Sequence, residues 1–121
     1  MKDKLDELFE LQRKMSANFI PVDEFISGGR EHPDVQAWTM RYLWCLVEEV
    51  VEMARCYPMR KFWVKKNHGR EQDKKEALKE YADIWLFLIA VGLINGWDSQ
   101  AVYNALVEKN KFNEGRFTPT V

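Results

Sequence analysis

Two acidic pairs with one spacing stand out in the chain: E49-V-V-E52 and E80-Y-A-D83, separated by 27 residues. On a helix, positions three apart share an edge, so each pair can aim two carboxylates the same way. No Lys or Arg stands within a turn of Glu49, and its neighbours are Val and Met. The second pair lies at the mouth of LKEYADIWLFLIAV (78–91), which is almost wholly apolar from Tyr81 onward. An unpaired carboxylate in such surroundings costs several kcal/mol or takes up a proton. Four converging carboxylates repel one another unless cations sit between them, and oxygen-only donor sets suit hard divalent ions. Glu49, Glu52, Glu80 and Asp83 are therefore read as ligands for Mg²⁺, with Mn²⁺ as an alternative.

A single pair at this spacing would carry little, because helices are full of solvated ones. The repetition on two apolar segments is the signal. Glu48 and Glu76 stay open between solvated face and site. A di-iron carboxylate centre needs Glu-x-x-His on two helices. Here His32 and His68 fall in expected loops beside Pro and Gly, which disfavours it.

The elements that must position these groups are helical. Leu5, Leu8, Phe9, Leu11, Met15 and Phe19 recur at threes and fours, predicting a helix over 3–19 ended by Pro21. Residues 22–34 read as a loop punctuated by Gly28-Gly29 and Pro33. A second helix opens at Pro33 or Asp34 and runs to about Tyr57, before Pro58. A basic loop (59–75) follows, then a third helix from about Asp73 to Asn95, closed by Gly96. Asp98 or Ser99 caps a fourth helix reaching about Asn113. With no convincing strand, the expected fold is an all-α, four-helix antiparallel bundle, one domain over 1–121, completed by oligomerisation. Trp38, Trp44 and Trp85 are read as core.

Composition narrows the classes. Apolar residues make up 46% and charged residues 31% of 121, with net charge −1. That balance gives no general attraction to nucleic acid or to an anionic membrane. The first residues, MKDKLDELFELQRK, lack the apolar run of a signal peptide, and Ile84–Ile94 is too short to span a bilayer. Cys45 and Cys56 lie eleven apart; along a helix that is about 16 Å, beyond the roughly 7 Å reach of a disulfide. A cytoplasmic setting is expected.

The paired motif resembles the all-α nucleoside triphosphate pyrophosphatases, the MazG and dimeric dUTPase superfamily. Three further segments draw the resemblance towards the dUTPase branch. LFELQRKMSANF is similar to that branch's opening helix, whose Gln and Asn help form the base pocket, here Gln12 and Asn18. R60-K-F-W-V-K-K66 resembles the basic-aromatic segment after the first metal motif, and E108-K-N-K-F-N-E-G-R-F117 resembles the phosphate-contacting Lys-Asn and Arg segment. The chain is short for a dimeric dUTPase, whereas the gap between its acidic motifs is long for a MazG-type protein.

The resemblance implies dUTP as substrate, cleaved with water to dUMP and pyrophosphate. A dCTP-directed or broad-specificity house-cleaning enzyme is the alternative. Metal ions held by the four carboxylates would offset the roughly four negative charges of the triphosphate and activate water, with Glu49 as the preferred base. Lys65, Lys109, Asn110 and Arg116 would hold phosphate, the last three neutralising charge on the departing pyrophosphate. Lys109 could equally complement a helix dipole, Gln12 and Asn18 could be solvated surface, and Phe62 and Trp63 could be core or interface. The partners implied are the nucleotide and a second copy of the chain, in a homodimer or homotetramer. A non-catalytic helical interaction module is the rival from another class; it would also self-associate, so pyrophosphate release decides between them.

Overall fold

A computed structural model describes residues 2–28, 31–57 and 71–117. Those residues form five helices: α1 (Lys4–Ser16), α2 (Val22–Gly28), α3 (Pro33–Arg55), α4 (Glu71–Ile94) and α5 (Ser99–Phe117). The all-α expectation holds, and among the described residues no strand occurs.

Local chemistry marks the starts of α1, α3 and α5 and the end of α4. Asp3 and Asp6 exchange side chain-to-backbone hydrogen bonds of 2.9 and 3.2 Å, a reciprocal cap at the start of α1. Pro33 occupies the first turn of α3, and His32 caps it by accepting from the Asp34 N–H at 3.1 Å. At the end of α4, the Gly96 N–H donates to Leu93 O (3.0 Å) and the Trp97 N–H to Gly92 O (2.8 Å). Gly96 has φ 79°, the left-handed conformation this closure requires. Asp98 then caps α5 through the Ala101 N–H at 2.8 Å.

The segment expected as a loop over 22–34 contains α2 instead. Pro21 supplies a carbonyl to the Phe25 N–H, and Val22 and Phe25, three apart, are both fully buried. Two apolar anchors on one turn suffice to hold a short helix that the flanking Gly and Pro obscure in the sequence. Arg13 of α1 donates to Asp23 of α2 at 2.7 and 2.9 Å, which fastens the two outside the core.

The dominant pairing is α3 against α4, with α1 and α2 packed on α4 and α5 resting on α1. The α3–α4 pair is antiparallel: Thr39 meets Asn95 at 3.0 Å, and the Tyr42 and Phe87 rings meet edge-to-face at 5.7 Å. Phe9, Ile20, Val22, Phe25, Val35, Ile89, Leu93 and Ile94 form the core at one end of this hairpin. The acidic pairs sit towards the other end.

Several apolar positions expected inside are not buried by this chain. On α1 the covered face is Phe9, Gln12 and Ser16, with Leu5 packed beside it, whereas Leu8, Leu11 and Met15 are exposed, as is Phe19 in the turn that follows. Trp38 packs against the core, but Trp44 (65% exposed) and Trp85 do not. Trp44 belongs to an exposed row, Met40, Trp44, Val47 and Val51, at spacings of four, three and four along α3. Leu78, Tyr81, Trp85 and Leu88 form a comparable exposed row on α4. The described helices carry more apolar faces than they bury against one another. No helix is long and apolar enough to cross a membrane among the described residues, and Cys45 and Cys56 form no disulfide.

Candidate functional site

The antiparallel register that puts Tyr42 opposite Phe87 also puts Glu49 opposite Glu80, seven residues further along each helix in opposite directions. Glu49, Glu52 and Glu80 each present a carboxylate oxygen, and these oxygens lie within 4.8 Å of one another. Glu49 and Glu80 are half-buried, and Glu52 is exposed. Asp83, a turn further along α4, stands outside that grouping, yet its charge acts on Glu49. Three of the four expected ligands are thus drawn together, and the fourth is an electrostatic neighbour.

The electrostatics are those of acids crowded together. Glu49 is pushed up to about 7, first by the adjacent Glu80 carboxyl, which favours a proton held between the two. Burial adds to this, followed by the charges of Glu52, Glu80 and Asp83. Glu52 is raised as well, chiefly by Glu80, and Arg55 opposes that shift only in part. Oε2 of Glu49 and Oε2 of Glu80 are buried and accept no hydrogen bond from any described residue. Buried oxygens normally find a partner, and an orphan needs a reason. A donor set of carboxylate oxygens with two buried orphans fits a hard divalent cation.

Glu48 is exposed, although its charge reaches Glu52. Glu76 is half-buried and pairs with Lys79 at 3.4 Å. On α5, Lys109, Asn110 and Arg116 are exposed, and the Lys109 ammonium and Arg116 guanidinium both lie over Phe112, at 5.0 and 6.0 Å. Their helix makes its main contact with α1. Lys65, with Phe62 and Trp63, lies outside the described residues.

The two expected base contacts differ. Asn18 is exposed in the turn after α1. Gln12 is only 5% exposed, which removes the solvated-surface reading for it. Sequence reasoning passed over Ser16, which is buried next to Gln12. The signal was available: Gln12 and Ser16 continue the Leu5–Phe9 stripe at spacings of three and four, as two polar residues on a core-facing line.

The family model described as dUTPase matches residues 4–118. No curated protein and no solved structure matches the chain.

Proposed function

The chain belongs to the dUTPase family and is a nucleoside triphosphate pyrophosphatase; from that premise we propose that it hydrolyses dUTP to dUMP and pyrophosphate in a Mg²⁺-dependent reaction. The observation that carries the metal requirement is the convergence of Glu49, Glu52 and Glu80 from two helices, with two buried oxygens that no described residue meets. A bound divalent ion would supply the positive charge that a triphosphate needs beside carboxylates, and would polarise phosphoryl oxygens and the attacking water.

The chain's own residues then divide the work. Glu49, Glu52, Glu80 and Asp83 hold the cation, and Glu49, a half-buried carboxylate facing the others, orients and deprotonates the water. Lys109, Asn110 and Arg116, together with Lys65, take the phosphate end and offset charge on the leaving pyrophosphate. Gln12 and Asn18 take the base. The whole of 1–121 acts as one domain.

The deciding experiment is pyrophosphate release from dUTP, dCTP, dTTP and the ribonucleotides, with and without Mg²⁺. Mg²⁺-dependent release with dUTP preferred is the expected result. Equal turnover of several nucleotides would replace dUTP by the broad-specificity reading, and preference for dCTP would redirect it. Release that survives complete metal removal would end the metal assignment.

Contacts made equally in ground and transition states change KM and spare kcat. Asn18→Ala is therefore expected to raise KM for dUTP or flatten the ranking of bases, with kcat held within about tenfold. Unchanged kinetics and ranking would remove Asn18 from the site and leave the chemistry standing.

We also assign the exposed row Met40, Trp44, Val47 and Val51 to self-association. Its spacing of fours and threes is that of helices packing side by side, and exposed apolar surface on this scale calls for cover. Trp44→Glu is expected to shift the chain to a smaller species in sedimentation; no change would place the contact elsewhere.

A further inference from the structure

The carboxylate centre and the α5 groups assigned to phosphate stand on different parts of one copy. Glu80 and Ile94, the last residue of α4, are fourteen residues apart, about 21 Å along the helix, and α5 starts beyond that end. α5 meets the rest of its own chain near its start, where Ser99 hydrogen-bonds Asp6 and Val102 packs against the core. From Tyr103 to Arg116 the helix is exposed, apart from half-buried Val107 and Asn113. The charges acting on Glu49 and Glu52 are those of Glu48, Glu52, Arg55, Glu80 and Asp83, all on α3 and α4.

One face of α5 has two halves. Val102, Leu106, Lys109, Asn113 and Arg116 recur at threes and fours, so they share a stripe. Its first half is an open apolar groove of about 460 Å³ lined by Trp97, Ala101, Val102, Ala105 and Leu106. The two alanines, one turn apart, leave room for a large side chain. The second half is cationic. α3 carries the counterpart: exposed Met40, Trp44, Val47 and Val51, with exposed Glu48 and Glu52 beside them. Trp44 follows Tyr42 by two residues, and Tyr42 faces α4, so Trp44 projects from the opposite side of α3.

We infer that α5 of a second copy lies parallel to α3 with Trp44 seated in its groove, so that the second copy's Lys109 and Arg116 supply the phosphate contacts beside Glu49, Glu52 and Glu80. The lengths match. Glu49 and Glu52 stand five and eight residues after Trp44, about 8 and 12 Å; Lys109 stands seven after Val102, about 10 Å. A parallel helix therefore brings Lys109 level with the carboxylates, whereas an antiparallel one carries it to the far end of α3. Charge selects the same alignment, since crowded carboxylates meet the cationic half of the helix. One copy alone holds an incomplete site, and a symmetric pair completes two. The inference rests on the pyrophosphatase reading and on the phosphate role of α5.

The test is complementation between two inactive chains. Glu80→Gln and Lys109→Ala are placed on differently tagged chains, co-expressed, purified through both tags and assayed with dUTP and Mg²⁺. Each variant alone should lose about 100-fold or more. In the mixed pair one site bears both substitutions and the other bears neither, so roughly half of the wild-type activity should return. Activity that stays at the level of the single variants, or the absence of any doubly tagged species, would overturn the shared site while the pyrophosphatase reading stood. Wild-type activity in Lys109→Ala would overturn the phosphate role, and this inference with it. The contact also has a readout apart from activity. Ala105→Trp, which fills the groove, should shift the chain to a smaller species in sedimentation with helicity retained in circular dichroism; an unchanged size would overturn the seat for Trp44. Loss of the functional reading itself would show earlier, as a wild type that releases no pyrophosphate from any nucleotide.

Discussion

Replacing Glu80 by Gln is expected to remove pyrophosphate release while leaving the metal-free chain as stable as the wild type or more so. Most substitutions at half-buried sites destabilise, so the sign is informative. Glu80 is the main cause of the upward shifts of both Glu49 and Glu52, and its Oε2 is buried without a hydrogen bond from any described residue. An amide of the same shape removes the repulsion and brings donors to the two remaining carboxyls. Activity goes the other way. Loss of a residue that merely supports a metal ligand costs roughly 10–100-fold, so loss of a ligand should exceed about 100-fold, and Asp83→Asn should likewise depress kcat rather than raise KM. Mg²⁺ should stabilise the wild type by about 2.7 kcal/mol at a hundredfold excess over its Kd, and the variant by less. Urea titrations with and without Mg²⁺, beside a pyrophosphate assay, separate the two effects. A loss of several kcal/mol without metal would identify Glu80 as half of a structural ion pair, and the metal proposal would fail.

The helices were legible because their signals are local. Pro33 at the first turn of α3, Gly96 after α4 and Asp98 before α5 each act within a few residues, and each stands where the spacing placed it. The convergence of Glu49 with Glu80 was legible for another reason: carboxylates on two apolar segments have few places to go, and an antiparallel hairpin supplies one. What the sequence obscured is which apolar stripe faces inward. On α1, Leu8, Leu11 and Met15 look more like core than Gln12 and Ser16, yet the latter pair is buried and the former exposed. Hydropathy reports that a face needs cover and not which neighbour covers it; on α1 and α3 there are more such faces than neighbours within one copy. α2 was obscured because its two anchors, Val22 and Phe25, lie between Pro21 and Gly28, where turn signals outweigh a single helical turn.

Stability against pH gives the second large effect, and its sign runs against the usual behaviour of a carboxylate. Glu49 rises from 4.5 to about 7 on folding, so between those values the folded chain holds a proton that the unfolded chain has released. Stability linked to Glu49 is complete below about 4.5 and is lost as pH rises through 7. Glu52, raised as well, adds the same sign. Asp6 and Glu10 are lowered, by the Ser99 hydroxyl and the Lys2 ammonium respectively, so their contributions fade only at acid pH, below this window. The metal-free chain should therefore be less stable at pH 8 than at pH 5.5, by at most about 1.4 kcal/mol for each pH unit in which Glu49 titrates. Saturating Mg²⁺ should reverse the trend, because ligands bind it deprotonated and the raised pH then favours the bound, folded form. Urea unfolding at the two pH values, in EDTA and in Mg²⁺, reads both slopes, and Glu49→Gln should flatten the first. A metal-free stability that stays level or climbs between pH 5.5 and 8 would mean that the three carboxyls do not crowd one another in solution, and the centre built on them would fall with that result.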